Sequence, residues 1–344
     1  MKKRTAWITA MVLALALSLT GCAGGNLNGA ETIATLDGST NITLGEFNLM
    51  LRYQQAQMES YYGALMGGNM YQQDITGDGT LYGDTAKETL MEEFKKMYIM
   101  EAEASNYGVA LTDAEKEAVA AAAGKFLEAN TDGAKKAATA DQKTVERLLT
   151  LLTINEKMYD ALTQDVDTEV SDAEAAQKRI DYVYVSTLGT EQDEAGNTIE
   201  LTDAEKAQKK ADLQAVLDEA KKSGDLDAAA QAKEMTASST AYGADSTYPS
   251  EEVRKAADAL KEGEFADIVE TENGYYLIRL ASMLDRDATD SRKTSIVQER
   301  RDELFAEKYR KLQEAHTFEK KDDVMAKLTF ERTFTLKAAE TAEP

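Results

Sequence analysis

Residues 259–280 read ALKEGEFADIVETENGYYLIRL. Two runs rich in β-branched and aromatic residues, 268–271 and 275–280, flank Asn273-Gly274. That dipeptide favours two-residue hairpin turns because both positions tolerate positive φ, so a hairpin with a type I′ turn is expected. Upstream, 251–260 reads as a helix, with Gly263 just past its end. Further back, 236–250 is dominated by Ser, Thr, Ala and Gly and reads as a loop. A short helix is expected at 226–233. A longer one runs from Thr202, where Glu205 completes a capping box, to about residue 222. Residues 188–200 are polar, with an acidic run at 191–194, and read as a solvated loop. Ile180-Asp181-Tyr182-Val183-Tyr184-Val185-Ser186 has the composition of a strand, and Ser171 with Glu174 opens a short helix before it.

The order strand, two helices, loop, short helix, hairpin resembles the parvulin-type peptidyl-prolyl isomerase domain. The resemblance is densest in A-L-x-x-G-E, carried by Ala259, Leu260, Gly263 and Glu264, and in V-x-T-x-x-G, carried by Val269, Thr271 and Gly274. The family resemblance implies a site as well as a fold. Parvulins place one His on the first central strand and one on the last; Tyr182 and Tyr276 stand at those positions here. A family Cys or Asp that faces substrate after the second helix corresponds to Thr236, within a few residues. The pocket Phe of the short helix corresponds to Val253, the Gly-Asp stretch to Gly243-Ala244-Asp245, and the Thr of the penultimate strand is kept as Thr271. Tyr182, Thr236 and Tyr276 are thus the catalytic positions implied by resemblance, and Val253 and Thr271 the substrate-binding ones.

Prolyl isomerisation has a barrier of ~18–20 kcal/mol, set by loss of amide resonance. A catalyst holds the proline ring in an apolar pocket and favours the twisted amide. Two Tyr can pack and hydrogen-bond across adjacent strands where the family has its His pair, keeping the fold and altering the chemistry. Loss of the pocket Phe removes an apolar wall. The resemblance with these departures implies weak or absent isomerase activity. An active isomerase is the alternative as an enzyme, and a structural or solute-binding lipoprotein the alternative without client binding.

The residues before 170 have a helical pattern after one short strand and turn at 33–38. Thr43 with Glu46 opens a helix whose expected apolar face is Phe47, Met50, Leu51, Met58, Tyr61, Tyr62 and Leu65, ended by Gly67 and Gly68. A loop is expected over 67–85, a helix over 86–104 broken by Gly108, an Ala-rich helix from the Thr112/Glu115 capping box to about 130, and a helix over 141–164. LTDAEK occurs at 111–116 and 201–206, the same helix-start chemistry used twice. Ile42-Thr43-Leu44-Gly45-Glu46-Phe47 is similar to the I-T-x-x-E-F motif in the N-terminal lobe of SurA- and PrsA-type extracytoplasmic foldases. A charged helix over 290–315 and an alternating segment at 328–336 complete the pattern. The expected fold is α+β, a mostly helical chaperone lobe with an inserted small parvulin-like α/β domain. The expected divisions are a leader at 1–21, a tether at 22–30, the lobe at 31–170, the parvulin-like domain at 171–285, a return to the lobe at 286–336 and a polar tail at 337–344. Met66, Met70 and Tyr71 fall at the Gly-rich end of the first helix and are expected to be exposed, where adaptable side chains suit binding of unfolded polypeptides.

Lys2, Lys3 and Arg4, an apolar run from Ala6 to Leu19, and Leu19-Thr20-Gly21-Cys22 have the layout of a secretory leader. The run is shorter than the ~20 residues of a membrane-spanning helix. The end resembles a lipobox, which implies lipidation of Cys22 and an extracytoplasmic protein tethered to the membrane. Cleavage before Cys22 removes three cations and the sole tryptophan, Trp7, and takes the net charge of the chain from −23 to −26.

Composition closes off other chemistries. With 62 Asp+Glu against 39 Lys+Arg, no general nucleic-acid binding is expected. One Cys and one His exclude an intrachain disulfide, a zinc-thiolate cluster and a multi-His metal site, and no cofactor is expected. Asp74 to Gly79 begins like a calcium loop but has Thr85 where the closing Glu belongs, so it reads as a polar surface loop. His316 follows a charged helix and reads as a surface residue.

Overall fold

The computed structural model describes residues 27–66, 70–189 and 199–336, with the main chain of 17–20 as well; for 64–66 only the main chain is described. Trp7, Cys22, Gly67, Gly68, the acidic run 191–194 and the tail 337–344 lie outside the described residues. The chain packs as two units, one made of Met1–Asp165 with Asp302–Pro344, the other of Val166–Arg301.

In the first unit, β1 (Leu17–Thr20) precedes a hairpin of β2 (Thr32–Leu36) and β3 (Thr40–Thr43). Its turn uses Asp37 and Gly38 at φ 50° and 65°. Helix α1 (Leu44–Met66) begins at the predicted capping box: Thr43 N donates to Glu46 Oε2 at 3.0 Å and Glu46 N to Thr43 Oγ1 at 3.3 Å. Its apolar face stops near Ala56. Further on, the expected face fails at Tyr61, which is 77% exposed, and at Tyr62, which also faces solvent; Met58 is half-buried, the side chain of Leu65 lies outside the described residues, and the polar Gln55 and Glu59 are buried. A 3₁₀ turn at Met70–Gln72 and α2 (Tyr82–Glu103), which starts four residues earlier than expected, shorten the predicted loop. Gly108, at φ 67°, closes the 3₁₀ turn that follows. Helix α3 (Asp113–Ala129) starts at the Thr112/Glu115 box; α4 (Asp132–Ala137), unforeseen, is capped by Thr131; α5 (Gln142–Leu162) is capped by Asp141. The core gathers Phe47, Phe94, Tyr98, Phe126 and Leu151, with the Phe47 and Phe94 rings 5.2 Å apart. Burial of each such ring is worth about 1.5–3 kcal/mol.

The second unit is built on a four-stranded antiparallel sheet. After α6 (Asp172–Ala175) come β4 (Lys178–Ser186), α7 (Asp203–Ser223), α8 (Leu226–Gln231), β5 (Ala237–Tyr242), α9 (Glu251–Asp258), β6 (Val269–Thr271) and β7 (Gly274–Ser282). The strand order is β5-β4-β7-β6. Alternation sends Val183 and Leu277 to one face, under Leu213, Val216 and Leu217 of α7 and Leu226 of α8. Ile180, Ile278 and Leu280 go to the other face, under Val253 and Ala257 of α9.

Two expectations fail in this unit. The segment read as a loop from 236 contains β5, in which Ala237, Ser238, Ser239 and Ala241 carry little strand propensity and are stabilised by edge pairing with β4. The hairpin turn is Glu272-Asn273, since Thr271 pairs with Gly274, and neither turn residue has positive φ, so the turn is not type I′. Gly274 is needed for space: a Cβ there would lie 2.4 Å from Tyr184 Cε2 and 2.5 Å from the Val185 carbonyl oxygen.

Helix α10 (Arg286–Ala315) leads back into the first unit, followed by β8 (Phe318–Lys320), α11 (Asp322–Met325) and β9 (Thr333–Leu336). β8 joins β2 and β3 in a three-stranded sheet, and β9 pairs antiparallel with β1. His316 is not a free surface residue. Its ring is 11% exposed, with Nδ1 2.6 Å from Asp37 Oδ2 and Nε2 3.0 Å from Glu103 Oε1. Among the described residues no helix is long and apolar enough to cross a membrane.

Candidate functional site

The middle of β4 brings Tyr182 to one face of the second unit's sheet. Register sets it opposite Ile278 on β7 and opposite Ser238 on β5. Tyr276 lies on β7 opposite Tyr184, so both tyrosines and Tyr184 share that face. The Tyr182 and Tyr276 rings are 5.7 Å apart and tilted by 42°, and Tyr184 lies 4.7 Å from Tyr276. Such tilted pairs suit the quadrupoles of the rings.

A fourth tyrosine, missed in the sequence, completes the group. Tyr248 sits in the loop between β5 and α9, and its hydroxyl is 2.9 Å from that of Tyr182. Its ring is 51% exposed. The loop is held by Arg254 Nη1, which donates to the Pro249 carbonyl, by Gly243 N, which donates to Ser246 Oγ at 2.9 Å, and by the Arg292–Asp245 ion pair. Only the aromatic type of Tyr248 and its place before one of two prolines marked it in the sequence.

Other implied positions behave differently. Val253 is fully buried against the sheet and presents no surface to a ligand. Thr236 is exposed and precedes β5; the β5 residue directly across from Tyr182 is Ser238. Thr271 closes its own hairpin, donating from Oγ1 to the Gly274 carbonyl at 2.8 Å. In the first unit, the expected exposure of Met70 and Tyr71 is wrong: both are buried, and Tyr71 stacks on Phe330 at 4.4 Å. Met66 ends α1, and its side chain lies outside the described residues.

Two of the four phenols are shifted. The hydrogen bond to Tyr182, then burial, raises the Tyr248 pKa above its ordinary value, and burial raises that of Tyr276. Both hydroxyls stay protonated across the physiological range. The cluster offers ring faces for an apolar ring and hydroxyls that donate to or accept from an amide. It brings no His or Cys with it. Among the described residues no group of three or more His, Cys, Asp or Glu is arranged to hold a metal ion.

Residues 191–290 match the family model of the PPIC-type PPIASE domain. The second unit thus carries a parvulin-type domain within an α+β chain. The match contains Thr236, Val253, Thr271 and Tyr276, and begins after β4 and Tyr182. No protein of curated function matches the chain in sequence. Among solved structures, the chain aligns with the foldase protein PrsA from Streptococcus pneumoniae at 16% identity over 71% of this chain and 92% of that one, with a TM-score of 0.31. Alignment with PrsA from Lactococcus lactis gives 15% identity, 86% and 97% coverage and a TM-score of 0.31. A SurA-like chaperone of Campylobacter jejuni aligns at 12% identity, 84% and 99% coverage and a TM-score of 0.28.

Proposed function

We propose that this chain is a lipid-anchored, extracytoplasmic chaperone for secreted polypeptides, whose parvulin-type domain has weak or no prolyl isomerase activity. The observation that carries the reading is the Tyr182–Tyr248–Tyr276 cluster at the centre of that domain. It supplies aromatic faces and neutral hydroxyls for an extended X-Pro segment, and Tyr248 and Tyr276 are held further from ionisation than an ordinary phenol. Such a surface can hold a client, and it carries neither the His pair nor the Cys that the family resemblance places beside the amide. The acidic body keeps the holder soluble and away from anionic surfaces.

The anchor rests on Leu19-Thr20-Gly21-Cys22 at the end of a basic and apolar leader. Two acyl chains or more hold a protein stably, where one is marginal. Cys22→Ser is expected to move the protein from the membrane to the soluble fraction. Suppression of aggregation of an unfolded client by the mature protein tests the chaperone reading. No suppression at equimolar or higher protein favours a structural or solute-binding lipoprotein. The family match supports the enzyme alternative, an active isomerase, and a proline-peptide assay separates it from a chaperone with little or no catalysis.

A further inference from the structure

The C-terminal segment 329–336 lies against α1, and the polar side chains of α1 that hydrogen-bond to it reach only its main chain. Asn48, Arg52, Gln55 and Glu59 form one stripe of α1, and all four are buried although polar. Arg52 Nη2 donates to the Thr329 carbonyl at 2.9 Å, and Gln55 Nε2 to the Arg332 carbonyl at 2.6 Å. Glu59 Oε2 accepts from Phe334 N at 2.6 Å, and Ser60 Oγ from Leu336 N at 2.8 Å. Gln72 Nε2 adds a bond to the Phe330 carbonyl at 3.2 Å. Each of these bonds ends on a backbone atom of the segment.

The readers are fixed before they meet it. Arg52 Nε donates to Asn48 Oδ1 at 3.0 Å and Nη1 to Gln55 Oε1 at 2.7 Å, and Gln55 Nε2 donates to Glu59 Oε1 at 2.9 Å. Two sockets take aromatic side chains four residues apart. Phe330 stacks on Tyr71 over Gly83, where a Cβ would lie 2.6 Å from the ring. Phe334 is buried, and the Arg52 guanidinium lies between the two rings, 5.4 and 5.3 Å from their centroids. An apolar stripe would dock a fixed terminal segment without the desolvation cost of four buried polar side chains. Side chains that bond only to backbone suit a ligand whose sequence varies.

We propose that this groove is a binding site for extended polypeptide with aromatic residues at positions i and i+4. The chain's own segment 329–336 fills it in cis, and an unfolded client displaces that segment. The proposal rests on the chaperone function proposed for the chain and names the site and the client chemistry. In a mature chain cleaved before Cys22 residues 17–20 are gone, so β9 loses its β1 partner and α1 holds the segment with less help.

Two measurements test it. The first uses the mature chain with Cys22→Ser, ended after residue 328, and a labelled peptide LTFERTFTLK, the protein's own 328–337. The truncated chain is expected to bind the peptide while the full chain does not. Replacing both Phe of the peptide by Ala is expected to weaken binding at least about tenfold, the effect of losing one buried aromatic side chain. A folded truncated chain that ignores the peptide, or binds both peptides alike, overturns the proposal. The second uses the full mature chain and hydrogen exchange. The amides of Phe334 and Leu336 are expected to lose protection when an unfolded client is added. Unchanged protection with the client bound overturns the proposal even if the truncated chain does not fold. Peptide binding reads the groove whether or not the full chain suppresses aggregation, so the groove and the chaperone function fail separately.

Discussion

The Tyr182 and Tyr248 hydroxyls are 2.9 Å apart and tie the central strand of the parvulin-type sheet to the loop before α9. One residue comes from a position the parvulin resemblance singled out, the other from a loop it did not. The bond joins a strand tyrosine to a loop tyrosine, and it holds the Tyr248 hydroxyl above its ordinary pKa. Removing either hydroxyl breaks the same bond. Tyr182→Phe and Tyr248→Phe are each expected to cost about 0.5–1.5 kcal/mol, and the double variant little more than either single one. Urea unfolding of the three variants measures this; additive losses would show that the two hydroxyls are not coupled.

Gly274→Ala is expected to destabilise the second unit by about 1–3 kcal/mol, the usual cost of overpacking. The new methyl would press on a ring and also on the Val185 carbonyl oxygen, which cannot rotate away. Gly63, in α1 with open space around it, is the control: Ala there is expected to be neutral or slightly stabilising. Thermal unfolding of the two variants compares them directly.

Arg147 pairs with Glu101 and, 3.4 Å away, with Glu46, whose side chain is 9% exposed and also accepts from Tyr98 at 2.7 Å. Arg147→Ala leaves two carboxylates uncompensated at the edge of the core. The expected loss is about 3 kcal/mol, the lower end for a broken buried pair because Arg147 is partly exposed. Denaturant midpoints at neutral pH measure it, and a loss below about 1 kcal/mol would place this network with ordinary surface pairs.

His316 makes the first unit sensitive to pH. Burial alone would lower its pKa, but hydrogen bonds to Asp37 and Glu103 outweigh burial and raise it above the usual imidazole value. Stability from the charged ring is fully present below about pH 6.5 and is lost as pH rises through the raised folded-state value. Asp37 is shifted the other way, lowered chiefly by its bond to His316, so its contribution is present above about pH 3.9 and fades in acid. Stability followed from pH 6 to 9 is expected to fall in the native protein and to lose most of that slope in His316→Gln. A slope that survives the substitution assigns it to other groups.

Removal of the proposed leader would have a simple optical consequence. Trp7 is the chain's only tryptophan, so the mature protein is expected to show tyrosine emission alone. Tryptophan emission from purified mature material would contradict cleavage before Cys22.

Where a local rule and the tertiary environment agreed, the chain was readable. The Thr43, Thr112 and Thr202 boxes opened helices where expected, because the capping geometry is complete within four residues. β4 and β7 were visible through their branched and aromatic residues. β5 was not, because its pairing with β4 rather than its composition makes it a strand. Locally Gly274 reads as a turn glycine, whereas its reason is contact with Tyr184, 90 residues away in the chain. His316 reads as a surface residue in the sequence because Asp37 and Glu103 reach it only through the fold. The site was half legible: Tyr182 and Tyr276 followed from the resemblance, whereas Tyr248 depends on a loop conformation with no local signature. The α1 stripe was hidden for a similar reason. Arg52, Gln55 and Glu59 look like a solvated helix face until 329–336 covers them.

The parvulin-type domain is proposed to keep its fold and a surface for apolar rings while losing most of the catalysis. Prolyl isomerisation of a short X-Pro peptide by the mature protein tests it most directly, run beside client aggregation in the same buffer. A peptide rate close to the uncatalysed one, together with suppressed aggregation, is expected. Isomerisation at rates typical of parvulins, lost in Tyr182→Phe or Tyr276→Phe, would contradict it.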